Sequence, residues 1–238
     1  MIKSIVIRKY GISFWQSLSD AKIEFREVRR KQHINAEVFE ILKDILPRHG
    51  FYLDVGAHDG RSSSNTYFLE KLGWTGILIE PIPMNFFKMK KIRSNKNKFV
   101  FAACVSKIYK QKYIEMVYAD LMSFAPSISI VEKNSWVEGA KTFLSKNEEI
   151  IELMVPAKTL DSILVEQGAP RVIDFLSIDV EGSEMSVLDG LSINDYEIKT
   201  LCIETFDYQT LSSHLEKFGY SCVGIAGANY IFVNSRSI

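Results

Sequence analysis

The stretch FYLDVGAHDG, residues 51 to 60, decides the fold of this chain. Its first half is apolar and of strand length, and it breaks into a turn where Asp54 is followed closely by Gly56 and Gly60. A helical pattern begins within a few residues, so the stretch predicts a buried strand, a tight turn and a helix. In open α/β sheets ligands bind at such junctions, beyond the carboxyl ends of the strands.

Downstream of this turn, strand and helix patterns alternate. The predicted strands are 51–55, 76–80, 98–105, 172–180 and 199–205, and the predicted helices are 65–73, 84–93, 159–168, 183–191 and 208–219. This alternation predicts a mostly parallel sheet with helices on both faces. Two final strands, YSCVGI and NYIFVN, flank a short turn, and parallel neighbours need a long crossover, so one strand must be antiparallel near the sheet edge. The predicted fold class is therefore α/β with seven strands.

Two parts of the chain depart from the alternation. Residues 1–49 are predicted to form a helical extension, with a charged surface helix over 18–30 and an amphipathic helix that Asn35 can cap. Residues from about 106 to 158 mix aromatic, polar and β-prone segments without a clear period. They predict an insertion that carries a hairpin and a short helix.

Composition and charge limit the classes of function. Lys plus Arg and Asp plus Glu both number 29, and the resulting zero net charge argues against a nucleic-acid partner. No segment approaches the roughly 18 uninterrupted apolar residues of a membrane span, and the N-terminus lacks an apolar signal segment. Cys104, Cys202 and Cys222 are far apart, which predicts reduced core cysteines and a cytoplasmic protein.

Carboxylates at two successive strand ends indicate a nucleoside ligand. Asp54 lies near the end of the first strand, and Glu80 ends the second, where it can accept hydrogen bonds from both ribose hydroxyls. A dinucleotide site would need G-x-G-x-x-G, but His58 takes the place of the middle glycine and Asp59 would repel a pyrophosphate. Asp54 and Asp59 suit a ligand with an amino-acid cation, which points to S-adenosylmethionine. His58 by itself also fits a solvated or capping turn residue.

Three motifs in order carry a resemblance to a known family. The first turn reads D-x-G-A-x-x-G, the second strand ends in E-P, and a later strand ends in D-x-E-G-x-E within DFLSIDVEGSEMSVLDGL. Together they resemble the FkbM-type S-adenosylmethionine-dependent methyltransferases over roughly residues 50–206. The resemblance implies a Rossmann-like methyltransferase fold for residues 50–238 and methyl transfer, usually to a hydroxyl oxygen of a sugar or natural product.

The resemblance also implies which residues bind the cofactor. The first turn would hold it, Glu80 would bind the ribose, and residues 102–104 would lie near the adenine, while the S-N-T of residues 64–66 matches one branch of the family without a defined role. The expected cofactor residues are Asp54, Gly56, Ala57, His58, Asp59, Gly60, Asn65, Glu80, Pro81, Ala102, Ala103 and Cys104.

A second group of acidic residues follows two later strands. Asp179 ends one strand, Glu181 lies just beyond it, and Glu204 ends the next. These three are the candidate catalytic residues, because a carboxylate of raised pKa can take the proton of an acceptor hydroxyl. Carboxylates gathered around a turn can instead hold Mg²⁺. A purely structural alternative is that Glu181 caps the next helix and Glu184 stabilises its first turn.

Three functions remain open at this point. The leading one is an S-adenosylmethionine-dependent O-methyltransferase that acts on a small-molecule or glycan acceptor. The alternatives are a catalytically inactive methyltransferase-fold binding module and, less favoured, a nicotinamide-dependent oxidoreductase. The basic run over 88–98 is either a solvated helix face or a site for a phosphorylated acceptor, and the charged N-terminal helices can pair in a homo-oligomer.

Overall fold

A twisted seven-stranded sheet forms the centre of the protein in the computed structural model, which describes residues 36–141, 144 and 149–235. The strands in chain order are β1 (Phe51–Val55), β2 (Thr75–Ile79), β3 (Lys98–Val100), β4 (Ala103–Cys104), β5 (Tyr113–Tyr118), β6 (Ile151–Lys158), β7 (Val172–Ile178), β8 (Glu197–Glu204), β9 (Tyr220–Ala226) and β10 (Asn229–Asn234). The helices are α1 (Ala36–Leu42), α2 (Tyr67–Lys71), α3 (Pro83–Ile92), α4 (Lys133–Ala140), α5 (Leu160–Glu166), α6 (Glu184–Asp189) and α7 (Tyr208–Glu216), with a 3₁₀ turn at Asp120–Met122.

The order of strands across the large sheet is β3-β2-β1-β7-β8-β10-β9. Strands β3, β2, β1, β7 and β8 pair in parallel, whereas β10 pairs antiparallel with both β8 and β9. The prediction of a mostly parallel seven-stranded sheet with one antiparallel strand near the edge is confirmed. After β1 the chain moves to β2 and β3 and then returns to β7 on the other side of β1. The strand order therefore reverses between β1 and β7, where a ligand crevice is expected.

The central strands are buried on both faces, which is why their sequences read as nearly continuous apolar runs. In β1, Leu53 and Val55 pack into a core cluster with Ile178, while Tyr52 points to the opposite cluster with Phe175. The alternation of successive side chains between the two faces gives the sheet one apolar layer on each side. Helices cover both layers, so the polar strand ends remain as the accessible edge.

One predicted strand is divided between two sheets. The run 98–105 was expected to be continuous, but β3 pairs with β2 in the large sheet and β4 pairs with β6 in a three-stranded sheet of order β4-β6-β5. Strand β5 pairs antiparallel with β6, and the residues between them include the 3₁₀ turn and α4. An apolar run shows that a strand is buried but not which neighbour it pairs with, so the sequence did not reveal the change of sheet.

Side-chain caps fix two helix starts close to their predicted positions. Thr159 accepts a hydrogen bond from the Ser162 amide at 3.2 Å and begins α5, and Asp207 accepts one from the Thr210 amide at 3.1 Å and begins α7. The predicted helix over 18–30 and the Asn35 cap lie outside the described residues. Within the described parts of the chain, no helix is long and apolar enough to cross a membrane. Cys104, Cys202 and Cys222 are free cysteines.

Candidate functional site

A cleft opens at the carboxyl ends of β1, β2 and β7, where the strand order reverses, and it encloses about 940 Å³ including its solvent-open mouth. Its walls come from the turns after these strands, from residues 102–104 and from the insertion between β4 and β6. The sequence-predicted site residues that line it are Asp54, Gly56, Ala57, His58, Asn65, Glu80, Pro81, Ala102, Ala103, Cys104, Asp179 and Glu181. Three predicted residues, Asp59, Gly60 and Glu204, are not part of its wall.

Gly56 allows the turns after β1 and β7 to touch. Its φ is +83°, and a Cβ at this position would lie 1.8 Å from the carbonyl oxygen of Asp179. The amides of Gly56 and Ala57 both donate to the Ile79 carbonyl, at 3.0 and 3.1 Å. The backbone of this turn is therefore held against β2 on one side and the turn after β7 on the other, and only glycine fits there.

Glu80 is buried at the end of β2, with 4% of its surface exposed. Its Oε2 accepts a hydrogen bond from the His58 amide and its Oε1 accepts one from the Ile82 amide, both at 2.8 Å. Burial raises the pKa of Glu80 to about 7, although these hydrogen bonds and the nearby His58 oppose the rise. The carboxylate thus joins the β1 turn to the start of α3, and each oxygen keeps a further lone pair for a ligand.

Asp59 and Gly60 lie behind the cleft wall. Asp59 Oδ1 accepts hydrogen bonds from the amides of Arg61 and Ser62 at 2.8 and 2.7 Å, so its carboxylate closes its own turn. Burial acts to raise the pKa of Asp59, but the nearby His58 ring and the hydrogen bonds from Ser62 and Arg61 outweigh it and hold that pKa below its usual range. The Gly60 carbonyl accepts from Arg93 at 3.0 Å. This placement gives Asp59 a structural role and does not favour the interpretation that it binds a cofactor cation.

His58 connects the β1 turn to the insertion. Its Nε2 lies 3.2 Å from Oδ1 of Asp120, which belongs to the 3₁₀ turn and also lines the cleft. Burial acts to lower the pKa of His58, but the carboxylates of Asp59, Glu80 and Asp120 outweigh it and raise that pKa. Asp120 was missed in the sequence because it lies in a stretch without periodicity, and nothing in the sequence links it to His58, 62 positions earlier.

The insertion supplies the apolar side of the cleft, which the sequence indicated only as a region. The apolar residues Met116, Leu121, Ala125 and Ile128 line it together with Ser123, and they lie in β5 or in the residues that follow it. Of the insertion aromatics, Trp136 does not line the cleft but donates its Nε1 hydrogen to the Met122 carbonyl at 3.0 Å and contacts Phe206 edge to face at 5.4 Å. These aromatic rings pack around the wall and fix its position.

The acidic end of the cleft lies beyond β7 and β8. Burial, followed by repulsion from Glu204 and Glu181, raises the pKa of Asp179 well above its usual value, and burial with repulsion from Glu204 and Glu184 raises the pKa of Glu181 to about 8. Glu204 is half-buried behind the wall and accepts a hydrogen bond from Asn229 at 3.1 Å. Among the described residues that line the cleft there is no lysine or arginine, so its ionisable side chains are carboxyl groups, the thiol of Cys104 and His58.

The carboxylates of this end do not form a metal site. Within the described residues, no group of three or more His, Cys, Asp or Glu side chains is arranged to hold a metal ion. Glu184 instead accepts a hydrogen bond from the Gly182 amide at 2.7 Å, in the first turn of α6, as the structural alternative for this residue predicted. The expectation of Mg²⁺ at the Asp179 cluster therefore gains no support from the geometry.

Four side chains in the cleft wall have buried hydrogen-bonding atoms without a partner within the described chain. They are His58, with a free Nδ1, Asn65, 6% exposed, with a free Oδ1, Ser183, 3% exposed, with a free Oγ, and Asn85, 1% exposed, with both amide atoms free. The Nδ2 of Asn65, in contrast, donates to Ser177 and Asn229, each at 3.2 Å. Buried polar atoms are nearly always paired, so these unpaired atoms around one cleft are available to hydrogen-bond a ligand. Asn85 and Ser183 were not predicted from the sequence.

Exposed lysines dominate the basic run over 88–98. Lys88, Lys90, Lys91, Lys96 and Lys98 are exposed, whereas Arg93 is buried. None of the six lines the cleft. The run is therefore mainly a solvated face, with one internal arginine.

Comparison with known proteins identifies one family. The model described as Methyltransferase FkbM domain matches residues 54–222. Among solved structures, a TehB-like SAM-dependent methyltransferase from Corynebacterium glutamicum aligns over 92% of this chain and 99% of its own, with 10% sequence identity and a TM-score of 0.39. No curated protein matches the chain.

Proposed function

The chain belongs to the FkbM methyltransferase family, and on this premise we propose that it transfers a methyl group from S-adenosylmethionine to a hydroxyl oxygen of a small-molecule or glycan acceptor. The observation that carries the proposal is the buried Glu80 carboxylate beside the Gly56 turn, at the point where the strand order reverses. A carboxylate at the end of the second strand is the group that accepts the hydroxyls of a ribose.

Residues along the whole length of the cleft support this choice of cofactor. Glu80 would hold the ribose, and Ala102, Ala103 and Cys104 would offer a flat apolar surface to the adenine. The free Oδ1 of Asn65 and the carboxylate of Asp54 would accept hydrogen bonds from the amino-acid end. Asp54 is held in place by the hydroxyl of Thr66 and lies 4.0 Å from Arg93.

When bound, S-adenosylmethionine supplies an electrophilic methyl group on a positively charged sulfur. A cleft lined by carboxyl groups, without lysine or arginine in its described lining, favours such a cation, because a nearby positive charge favours the ionised form of these groups. The same carboxyl groups disfavour a phosphorylated acceptor, so a neutral hydroxyl compound is the preferred substrate class. The insertion would shape the acceptor side, because it supplies the apolar wall.

Methylation of a hydroxyl requires that the oxygen be aligned with the methyl group and lose its proton. Asp179 and Glu181 line the acidic end of the cleft and would accept this proton at a carboxylate oxygen. The pKa of Glu181, raised to about 8, suits a base, because such a carboxylate holds a proton far more strongly than an ordinary one. Burial and repulsion from Glu204 and Glu181 raise the pKa of Asp179 in the same direction.

Calorimetric titration with S-adenosylmethionine and with S-adenosylhomocysteine tests the proposal. We expect binding in the micromolar range, weakened at least about tenfold by Glu80→Gln, because the neutral amide loses the charge-assisted hydrogen bonds. Glu197→Gln is the matched control, since Glu197 is exposed at the start of β8 and should leave the affinity unchanged. Absence of binding to both compounds would contradict the proposed function.

Acceptor class is tested by methyl transfer from a labelled cofactor. We expect product with neutral hydroxylated sugars and little with their phosphate esters. Transfer to the phosphate esters alone would contradict the assignment of the acceptor, and binding without transfer to any acceptor would favour the inactive binding module.

A further inference from the structure

Asn85 is the least explained polar residue of the cleft. It is the third residue of α3, it is 1% exposed and it lines the cleft. Neither Nδ2 nor Oδ1 has a hydrogen-bond partner within the described chain. An unpaired amide in such a position destabilises the protein, and asparagine is also a weak helix former. A leucine has a similar shape and would fill the same space without an unpaired polar group and with a better helix propensity. Packing alone therefore does not explain why an amide stands at this position.

The side chains around Asn85 suit a flat apolar ligand. Its neighbour Phe86 contacts Phe101 at 5.4 Å between ring centroids, which places the start of α3 beside the segment that continues to residues 102–104. In the same region Ile82 packs with Ala103. Burial raises the pKa of the Cys104 thiol to about 12, so this wall is uncharged. The Asn85 side chain thus brings one hydrogen-bond donor and one acceptor from α3 to a part of the cleft that is otherwise apolar.

Asn85 lies far from the reacting end of the cleft. It follows β2, whereas Asp179 follows β7, and β1 separates these two strands in the sheet. Two strand spacings amount to about 10 Å. Glu80, five residues before Asn85, marks the proposed ribose position, so the amide stands on the side of the cleft where the base of the nucleoside would lie.

We propose that Asn85 determines base specificity by forming two hydrogen bonds with the edge of adenine. The inference rests on the proposed function and adds to it a residue that selects the cofactor. Adenine presents its 6-amino donor next to a ring-nitrogen acceptor, and an asparagine amide is complementary to this pair, as in the readout of adenine in DNA. Binding would therefore satisfy both orphan atoms of Asn85 at once.

The first measurement needs no variant and compares two nucleosides. Calorimetry on the wild-type chain should show adenosine binding at least about tenfold more tightly than purine riboside, which lacks the 6-amino group. Equal affinity for the two nucleosides overturns the inference. If neither these nucleosides nor S-adenosylhomocysteine bind, the proposed function fails and the inference with it; binding of S-adenosylhomocysteine without a preference for adenosine sinks the inference alone.

The second measurement uses Asn85→Leu, with Met84→Leu as the control because Met84 is largely exposed in the same helical turn. We expect Asn85→Leu to bind S-adenosylhomocysteine at least about tenfold more weakly and to lose the preference for adenosine. In the absence of ligand its unfolding temperature should equal or exceed that of the wild type, because an unpaired buried amide has been removed. A lower unfolding temperature with unchanged affinity would assign Asn85 a structural role and overturn the inference.

Discussion

At the residue scale, Gly56 is constrained twice, by a φ of +83° and by the carbonyl of Asp179. In Gly56→Ala the left-handed backbone costs about 1–2 kcal/mol and the added methyl group must displace backbone. We expect a loss of about 2–5 kcal/mol in the free energy of unfolding, measured by urea denaturation. Binding of S-adenosylhomocysteine should weaken as well, since the turn lines the cleft.

Gly168 provides the matched control for this substitution. Its φ is +56°, but a Cβ there would meet nothing within 4 Å. Gly168→Ala should therefore show only the backbone cost, about 1–2 kcal/mol, with unchanged ligand affinity. Equal losses in the two variants would show that contact with the β7 turn contributes nothing.

Glu181 makes the stability of the unliganded protein depend on pH. Its pKa rises from an ordinary 4.5 to about 8, so between these values the folded protein binds more protons at Glu181 than the unfolded chain does. The stability contributed by the protonated form is complete below pH 4.5 and is lost as the pH rises through 8. In Glu181→Gln this loss disappears.

We expect Glu181→Gln to become more stable relative to the wild type as the pH rises. Between pH 5 and pH 8.5 the difference in unfolding free energy between the two proteins should grow by about 1–3 kcal/mol, which is less than the full pKa shift implies because Glu181 is partly exposed. Urea denaturation across this range measures it. Glu197→Gln serves as the exposed control, and a gap that stays constant for Glu181→Gln would refute the burial argument.

The sequence predicted which residues lie at the cleft where a short local pattern marks the end of a strand. Asp54, Gly56 and Glu80 stand at strand ends that short patterns reveal, and all three line the cleft. Asn85 and Asp120 were missed because their significance depends on the fold: one lacks a partner inside the protein, and the other meets His58 only through the insertion.

At the scale of elements, Arg93 fastens the end of α3 to the β1 turn and to α2. The buried guanidinium donates to Tyr52 at 2.6 Å, to Glu70 at 2.8 Å and to the Gly60 carbonyl at 3.0 Å. In Arg93→Met, the buried carboxyl groups of Glu70 and Asp54 lose this partner. We expect a loss of about 3–5 kcal/mol in the free energy of unfolding, again measured in urea.

Lys91→Met is the control on the same helix, because Lys91 is exposed. It should change the unfolding free energy by no more than about 0.5 kcal/mol. A loss below about 1 kcal/mol in Arg93→Met would mean that apolar packing of the methionine compensates for the lost hydrogen bonds of Arg93.

Helices and strands were predictable from the sequence where one hydrophobic pattern corresponds to one helix or strand. The parallel strands and their helices follow hydrophobic periodicity, and the predicted helices 159–168 and 208–219 begin close to the residues that cap α5 and α7 in the structure. The division of 98–105 into β3 and β4 was not predictable, since both pieces are apolar and only tertiary contacts assign them to different sheets.

At the scale of the whole molecule, the cleft joins the large sheet to the insertion, so a ligand should restrain both. On addition of S-adenosylhomocysteine, amide hydrogen exchange should slow by about tenfold in the segments 56–65 and 119–125, measured by mass spectrometry. Segment 160–166 is the control, since α5 lines no part of the cleft. Equal slowing in all three segments would indicate general stabilisation and not a ligand that bridges the two parts.

The antiparallel strand β10 has a consequence for how the protein is made. Strand β9 pairs with β10 and with no other strand of the described chain, and β10 is the strand that links it to β8. A ribosome synthesises β9 first, so the nascent strand has no backbone partner until the residues after it have emerged. On this side of the sheet the order of strand pairing is therefore the reverse of the order of synthesis, because β9 can join the sheet only after β10 is available.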